Sequence, residues 1–122
     1  MINEKLVEEI SNVYENAFNN DYMVVRSPGR INIIGEHTDY NDGFVLPAAI
    51  DKACYIALGP RNDREINLIA QDLNETFSIG LDDIRPVETG WPNYILGVAA
   101  QFLKLNIDVP GFNAVISSDV PV

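Results

Sequence analysis

The chain of 122 residues contains one cysteine, one histidine and one tryptophan. Cys54 sits in the apolar run Ala53 to Leu58, so no disulfide can form within the chain. Its thiol reads as a small core residue, which fits a reducing, cytoplasmic compartment. A single histidine, His37, with one distant cysteine cannot supply the four nitrogen or sulfur ligands of a structural zinc site. Basic residues are also scarce. Eight Lys and Arg stand against 18 Asp and Glu, a net charge of −10, which repels nucleic-acid backbones and anionic lipid. A nucleotide substrate remains compatible, because local cations and a metal can offset the overall field at one pocket. No apolar run approaches the length of a membrane span, and the opening MINEKLVEEI is acidic, unlike a secretion signal. There is no Gly-x-Ser-x-Gly elbow, which disfavours a serine hydrolase. Gly-x-x-x-x-Gly-Lys-Ser/Thr, Gly-x-Gly-x-x-Gly and any compact Gly/Ser loop are likewise missing. Repeats and low-complexity linkers are absent too.

What is present is one ordinary domain's worth of core. With 47% hydrophobic residues, a chain of this size can bury roughly two thirds of the surface its unfolded form exposes. Leu6, Ile10, Val13, Ala17 and Phe18 recur at helical spacing after Asn3, a candidate N-cap, and the helix should end near Asn19 to Asp21. Strand-like runs follow at Tyr22 to Arg26, at Ile31 to Ile34 and from Phe44 to Leu58, with a turn at Asn41-Asp42-Gly43. Ile66 to Ala70 and Thr76 to Ile79 predict a hairpin around the polar turn Asp72 to Glu75. Pro92 stands where a first-turn proline belongs, and Tyr94 to Leu105, apolar nearly all round, predicts a buried helix. Phe112 to Ile116 can form a last strand. The order predicts an α+β domain with a mixed β-sheet and packed helices, residues 1–122 forming a single unit.

Chemistry concentrates between Arg30 and Asp39, where Arg30, Glu36, His37 and Asp39 lie between or beside Gly29 and Gly35. A site that fixes the stereochemistry of a hexose needs carboxylates to accept from hydroxyls and cations to donate to them. Glu36 and Asp39 would accept, while His37 and Arg30 would donate. The same residue types could instead form a solvated turn with one surface ion pair, which contributes little. Asp39, Asn41 and Asp42 mimic the start of a calcium loop, but its glycine at position six and glutamate at position twelve are missing.

The string from Arg26 to Gly43, RSPGRINIIGEHTDYNDG, resembles the galactokinase signature of the GHMP small-molecule kinase family almost position by position. Ser27 stands where alanine is common, a small-for-small exchange. The resemblance implies the N-terminal domain fold of GHMP kinases, which is like that of ribosomal protein S5 domain 2. It implies that Asp39 binds the 3- and 4-hydroxyls of galactose and that Glu36 and His37 lie around the 6-hydroxyl end. Arg30 would lie beside the anomeric hydroxyl and stabilise charge there as a catalytic residue. Trp91-Pro92-Asn93-Tyr94 with Gly97-Val98 is similar to the segment whose aromatics border the adenine of ATP, although Trp91 and Tyr94 could equally be packing residues.

In the family a glycine- and serine-rich phosphate loop follows a segment resembling Ser118 to Val122, so the chain is expected to stop just before it. The magnesium ligands and the catalytic base are expected further on, and no metal ligand or base is assigned here. The resemblance thus implies a parent galactokinase: a cytoplasmic, ATP- and Mg2+-dependent transferase that makes galactose 1-phosphate, the first committed step of galactose catabolism. The fragment alone is expected to be inactive. Expected partners are galactose and ATP, with neither nucleic acid nor membrane. An N-acetylgalactosamine or other GHMP sugar kinase, and a non-catalytic galactose and ATP sensor, are the alternatives the motif leaves open.

Overall fold

A computed structural model describes residues 1–35, 37–38 and 41–121. In chain order the elements are helix α1 (Glu4–Ala17) and strands β1 (Met23–Ile34), β2 (Leu46–Pro60), β3 (Glu65–Ala70) and β4 (Glu75–Gly80). Helix α2 (Pro92–Lys104) and strand β5 (Phe112–Ser118) complete the domain. The five strands form one sheet in the order β1-β2-β5-β3-β4, with β3 and β5 parallel and the other pairs antiparallel. This is the α+β, mixed-sheet architecture that the sequence predicts.

Helix α1 begins where Asn3 predicts: its side chain accepts from the Leu6 N–H at 3.1 Å, satisfying one of the donors a helix start leaves open. Ile10 and Tyr14 of α1 are fully buried against Ala53, Tyr55, Ala57 and Val115. The opposite face of the sheet carries a second core, in which Leu96 of α2 meets Ile66, Leu68, Ile79, Leu81 and Ala114. Strict alternation makes this possible, since Val115 faces α1 while its neighbour Ala114 faces α2. The turn between β3 and β4 is a short 3-10 helix, Gln71–Leu73, capped by Asn74 at φ 52°.

Two expectations change. The runs at Tyr22 and Ile31 are not separate strands but one 12-residue β1, because Pro28 and Gly29 form an irregularity that shifts register without ending the strand. Helix α2 is not buried all round. Leu96 and Ala99 are buried, yet Tyr94 is 83% exposed and Val98, Phe102 and Leu105 also face outward. A sheet beneath a helix covers only one stripe of it, whatever the composition of the other. Among the described residues no helix is long and apolar enough to cross a membrane.

Strand β2 is longer than its support. β5 pairs with it only from Cys54 to Pro60, whereas β1 pairs with it from Leu46 onward. The half of β1 beyond Pro28 therefore runs with the first half of β2 as a two-stranded ribbon leaving the sheet. Its apolar residues show this, with Ile31, Ile33, Ile34 and Leu46 each about half exposed or more. The described residues between Ile34 and Leu46 sit at the ribbon's tip.

Candidate functional site

Arg30 lies on the ribbon opposite Ala49, and Asn32 lies two residues further on opposite Pro47. With no register break between them they face the same side, about 7 Å apart along the strand. The carboxamide oxygen of Asn32 is buried and has no hydrogen-bond partner, a costly state for a polar atom. No motif in the sequence singles out Asn32. Period-two counting from Arg30 would have put it on the same face.

The tip begins at Gly35, whose φ of 94° is closed to most L side chains. A Cβ there would also run into the Phe44 carbonyl oxygen and lie 2.7 Å from Val45 Cα. Thr38 organises the turn. Its N–H donates to the Gly35 carbonyl at 3.1 Å, and its hydroxyl donates to the Phe44 carbonyl at 2.9 Å. Its own carbonyl accepts from Asn41 N–H at 3.1 Å and from Gly43 N–H at 2.7 Å. Gly43 has to be small because a Cβ would strike Thr38. The expected Asn41-Asp42-Gly43 turn is present, with Asp42 at φ 59°. His37 is exposed, and its carbonyl accepts from the Asn41 side chain at 3.2 Å. Glu36 and Asp39, the two expected hydroxyl acceptors, lie outside the described residues.

The other arginine of the signature has a different task. Arg26 donates from Nε to the Tyr55 hydroxyl at 3.2 Å and from its terminal nitrogen to the Met1 and Asp51 carbonyls. Those bonds tie β1 to the chain start and to β2, which makes Arg26 structural.

Trp91 and Tyr94 stand at the start of α2. The Trp91 indole N–H donates to Glu75 of β4 at 2.7 Å, and its ring packs at the edge of the second core. Since β4 and β1 are opposite edges of the sheet, four strand spacings, about 19 Å, separate the strand that Trp91 grips from the one that carries Arg30. The structure thus brings Arg30 and His37 to one ribbon and keeps the aromatic pair apart from them. Among the described residues no group of three or more His, Cys, Asp or Glu is placed to hold a metal ion. One open concavity of about 470 Å³ lies at the far end of β2, lined by Asn20, Arg61 and Asn113 among others. Its polar groups are already paired: Arg61 grips Asp63 through two bonds of 2.8 Å and also donates to Asn113, which donates to Asn20. It reads as a structural junction.

The galactokinase galactose-binding signature matches residues 12–60, a span that begins inside α1 and closes on the last residue of β2. Galactokinases of a Roseiflexus species and of Chloroflexus aggregans are 45% identical over 100 residues and 46% identical over 99 residues. This chain is related to the galactokinases. The two alignments cover 82% and 80% of it but only 26% and 25% of the relatives, so it spans about a quarter of the length of the curated proteins it matches. Among solved structures, a Lactococcus lactis galactokinase complexed with galactose superposes with a TM-score of 0.85 at 27% identity, over 96% of this chain and 32% of that one. A Methanococcus jannaschii mevalonate kinase gives 0.67 at 26% identity, over 86% of this chain and 35% of that one. The mixed-sheet fold is therefore shared with both of these kinases.

Proposed function

We propose that this galactokinase-like chain supplies the sugar-recognition part of a kinase that transfers the γ-phosphate of ATP to the 1-hydroxyl of α-D-galactose. The observation that carries the proposal is the match of the galactose-binding signature to residues 12–60, a span that includes the ribbon and Arg30. In this reading Glu36 and Asp39 accept from the sugar hydroxyls, His37 donates at the 6-hydroxyl end, and Arg30 stabilises charge beside the anomeric oxygen. Trp91 and Tyr94 would flank the adenine. Phosphoryl transfer also needs oriented N–H groups around the phosphates, a metal such as Mg2+ and a group that positions the attacking hydroxyl. The sequence offers no Gly/Ser loop for the first of these, and in this reading the metal ligands and base belong to a further part of the parent protein. Residues 1–122 are accordingly proposed to form one sugar-binding unit that binds galactose and does not phosphorylate it.

The test is to incubate the chain with galactose and labelled ATP, then to titrate it with galactose alone. Binding without turnover is expected. Turnover that Arg30→Ala abolishes would contradict the division of labour, and absence of binding would contradict the sugar site. Titration with N-acetylgalactosamine separates galactose from its 2-substituted forms.

A further inference from the structure

Beside the base of the ribbon that carries Arg30 lies the segment that follows β5. Pairing between β2 and β5 ends at Cys54 with Ser118, but Asp119 prolongs it by one step. The Asp119 N–H donates to the Ala53 carbonyl at 3.1 Å, and the Asp119 carboxylate accepts from the Ala53 N–H at 2.7 Å. Its second oxygen accepts from the Asn3 side chain at 3.0 Å. On the other side Asp72 accepts from the Ser117 hydroxyl at 2.6 Å and from the Ser118 N–H at 2.8 Å. Val120 N–H then donates to the Ser118 hydroxyl at 3.1 Å. These bonds fix where the Val120 side chain lies. Val120 sits over Gly29, where a Cβ would come to 3.1 Å from Val120 Cγ2 and from Ile50 Cδ1. Gly29 is the residue at which β1 breaks register with β2, and Arg30 is the next one.

We infer that Asp119 and Val120 act as positioning residues for Arg30: the Asp119 clasp seats Val120 on the Gly29 irregularity, and that contact sets the angle at which the ribbon leaves the sheet. The physical case is that an isolated two-stranded ribbon is marginally stable and free to bend at an irregularity. A side chain packed on that irregularity from a segment held by bonds to Asn3, Ala53 and Asp72 restricts the bend. The missing side chain at Gly29 leaves the room in which Val120 and Ile50 pack.

The inference rests on the sugar-site reading only for its functional consequence, so two measurements are paired. The first records backbone amide and Arg30 Nε–H resonances of the chain in Asp119→Asn, Val120→Ala and Val120→Thr. Asp119→Asn and Val120→Ala should shift Gly29, Arg30 and Asn32 well beyond distant amides such as Gly97. Val120→Thr, which keeps the shape, should leave them in place. The second titrates the same variants with galactose. Affinity should fall about threefold or more for the first two and be retained in the third. Unmoved Gly29 and Arg30 resonances alongside a displaced Ala53 amide would overturn the coupling, as would unchanged galactose affinity in all three. If the unmutated chain binds no galactose, the sugar reading fails, while the resonances still decide whether the clasp positions Arg30. Should Asp119→Asn fail to fold, the contrast between Val120→Ala and Val120→Thr decides it.

Discussion

Gly35→Ala offers a local perturbation with a cost that can be worked from geometry. Gly35 opens the tip at φ 94°, where an L side chain costs roughly 1–2 kcal/mol for the left-handed backbone alone. The added methyl also meets backbone, the Phe44 carbonyl oxygen and Val45 Cα, and backbone cannot rotate away as a side-chain end could. Strain of about 2 kcal/mol held against the binding-competent tip corresponds to about 30-fold weaker galactose binding at 1.4 kcal/mol per tenfold. The melting temperature should hardly follow, because both cores lie elsewhere, around Ile10 and Tyr14 on one face and Leu96 on the other. Calorimetric titration with galactose and a thermal scan of the same sample measure both quantities. Wild-type affinity in Gly35→Ala would refute the claim that the tip's backbone sets the site.

Gly97→Ala is the counterpart, since a Cβ on this exposed α2 residue meets nothing within 4 Å. Removing glycine from a helix interior should stabilise by up to about 1 kcal/mol and raise the melting temperature by about 4 °C, with galactose affinity unchanged. Arg26→Lys loses the fork that grips Tyr55, Met1 and Asp51. Denaturant unfolding should show a loss of about 1 kcal/mol, and titration a smaller change in galactose affinity than Arg30→Ala causes. The Asn3 side chain and the Ala53 N–H hold the Asp119 carboxyl below the usual carboxylate range. A group whose folded pKa is depressed stabilises above its unfolded value, and its contribution disappears as pH falls through the folded one. The Ala53 amide resonance should therefore titrate with a midpoint below the ordinary carboxylate range, and Asp119→Asn should abolish that transition.

Much of the scaffold was legible because local signals agreed with global ones. Asn3 caps α1, Pro92 opens α2, and Asn74 turns β3 into β4, each for reasons confined to a few residues. The course of β1 was harder. Pro28-Gly29 reads as punctuation between two strands, whereas cross-strand pairing with β2 carries the strand through the irregularity. The exposed face of α2 is not legible in composition, which says how apolar a helix is and not how many neighbours it finds. Arg30 and Glu36 to Asp39 announced themselves through the density of ionisable groups and the signature string. Asn32 gave no such signal, since a buried orphan oxygen is a property of packing. The tie between Asp119 and the ribbon joins residues more than sixty positions apart along the chain. No local pattern could have disclosed it.

The most direct test of the account is titration of the 122-residue chain with galactose and with its 4-epimer glucose, followed by amide resonances. The account predicts saturable shifts at Arg30, Asn32, Gly35, His37 and Thr38 with galactose, weaker ones with glucose, and none at Arg61 or Asn113 around the concavity at the far end of β2. Equal responses to both sugars, or shifts around Arg61 with a silent ribbon tip, would contradict it.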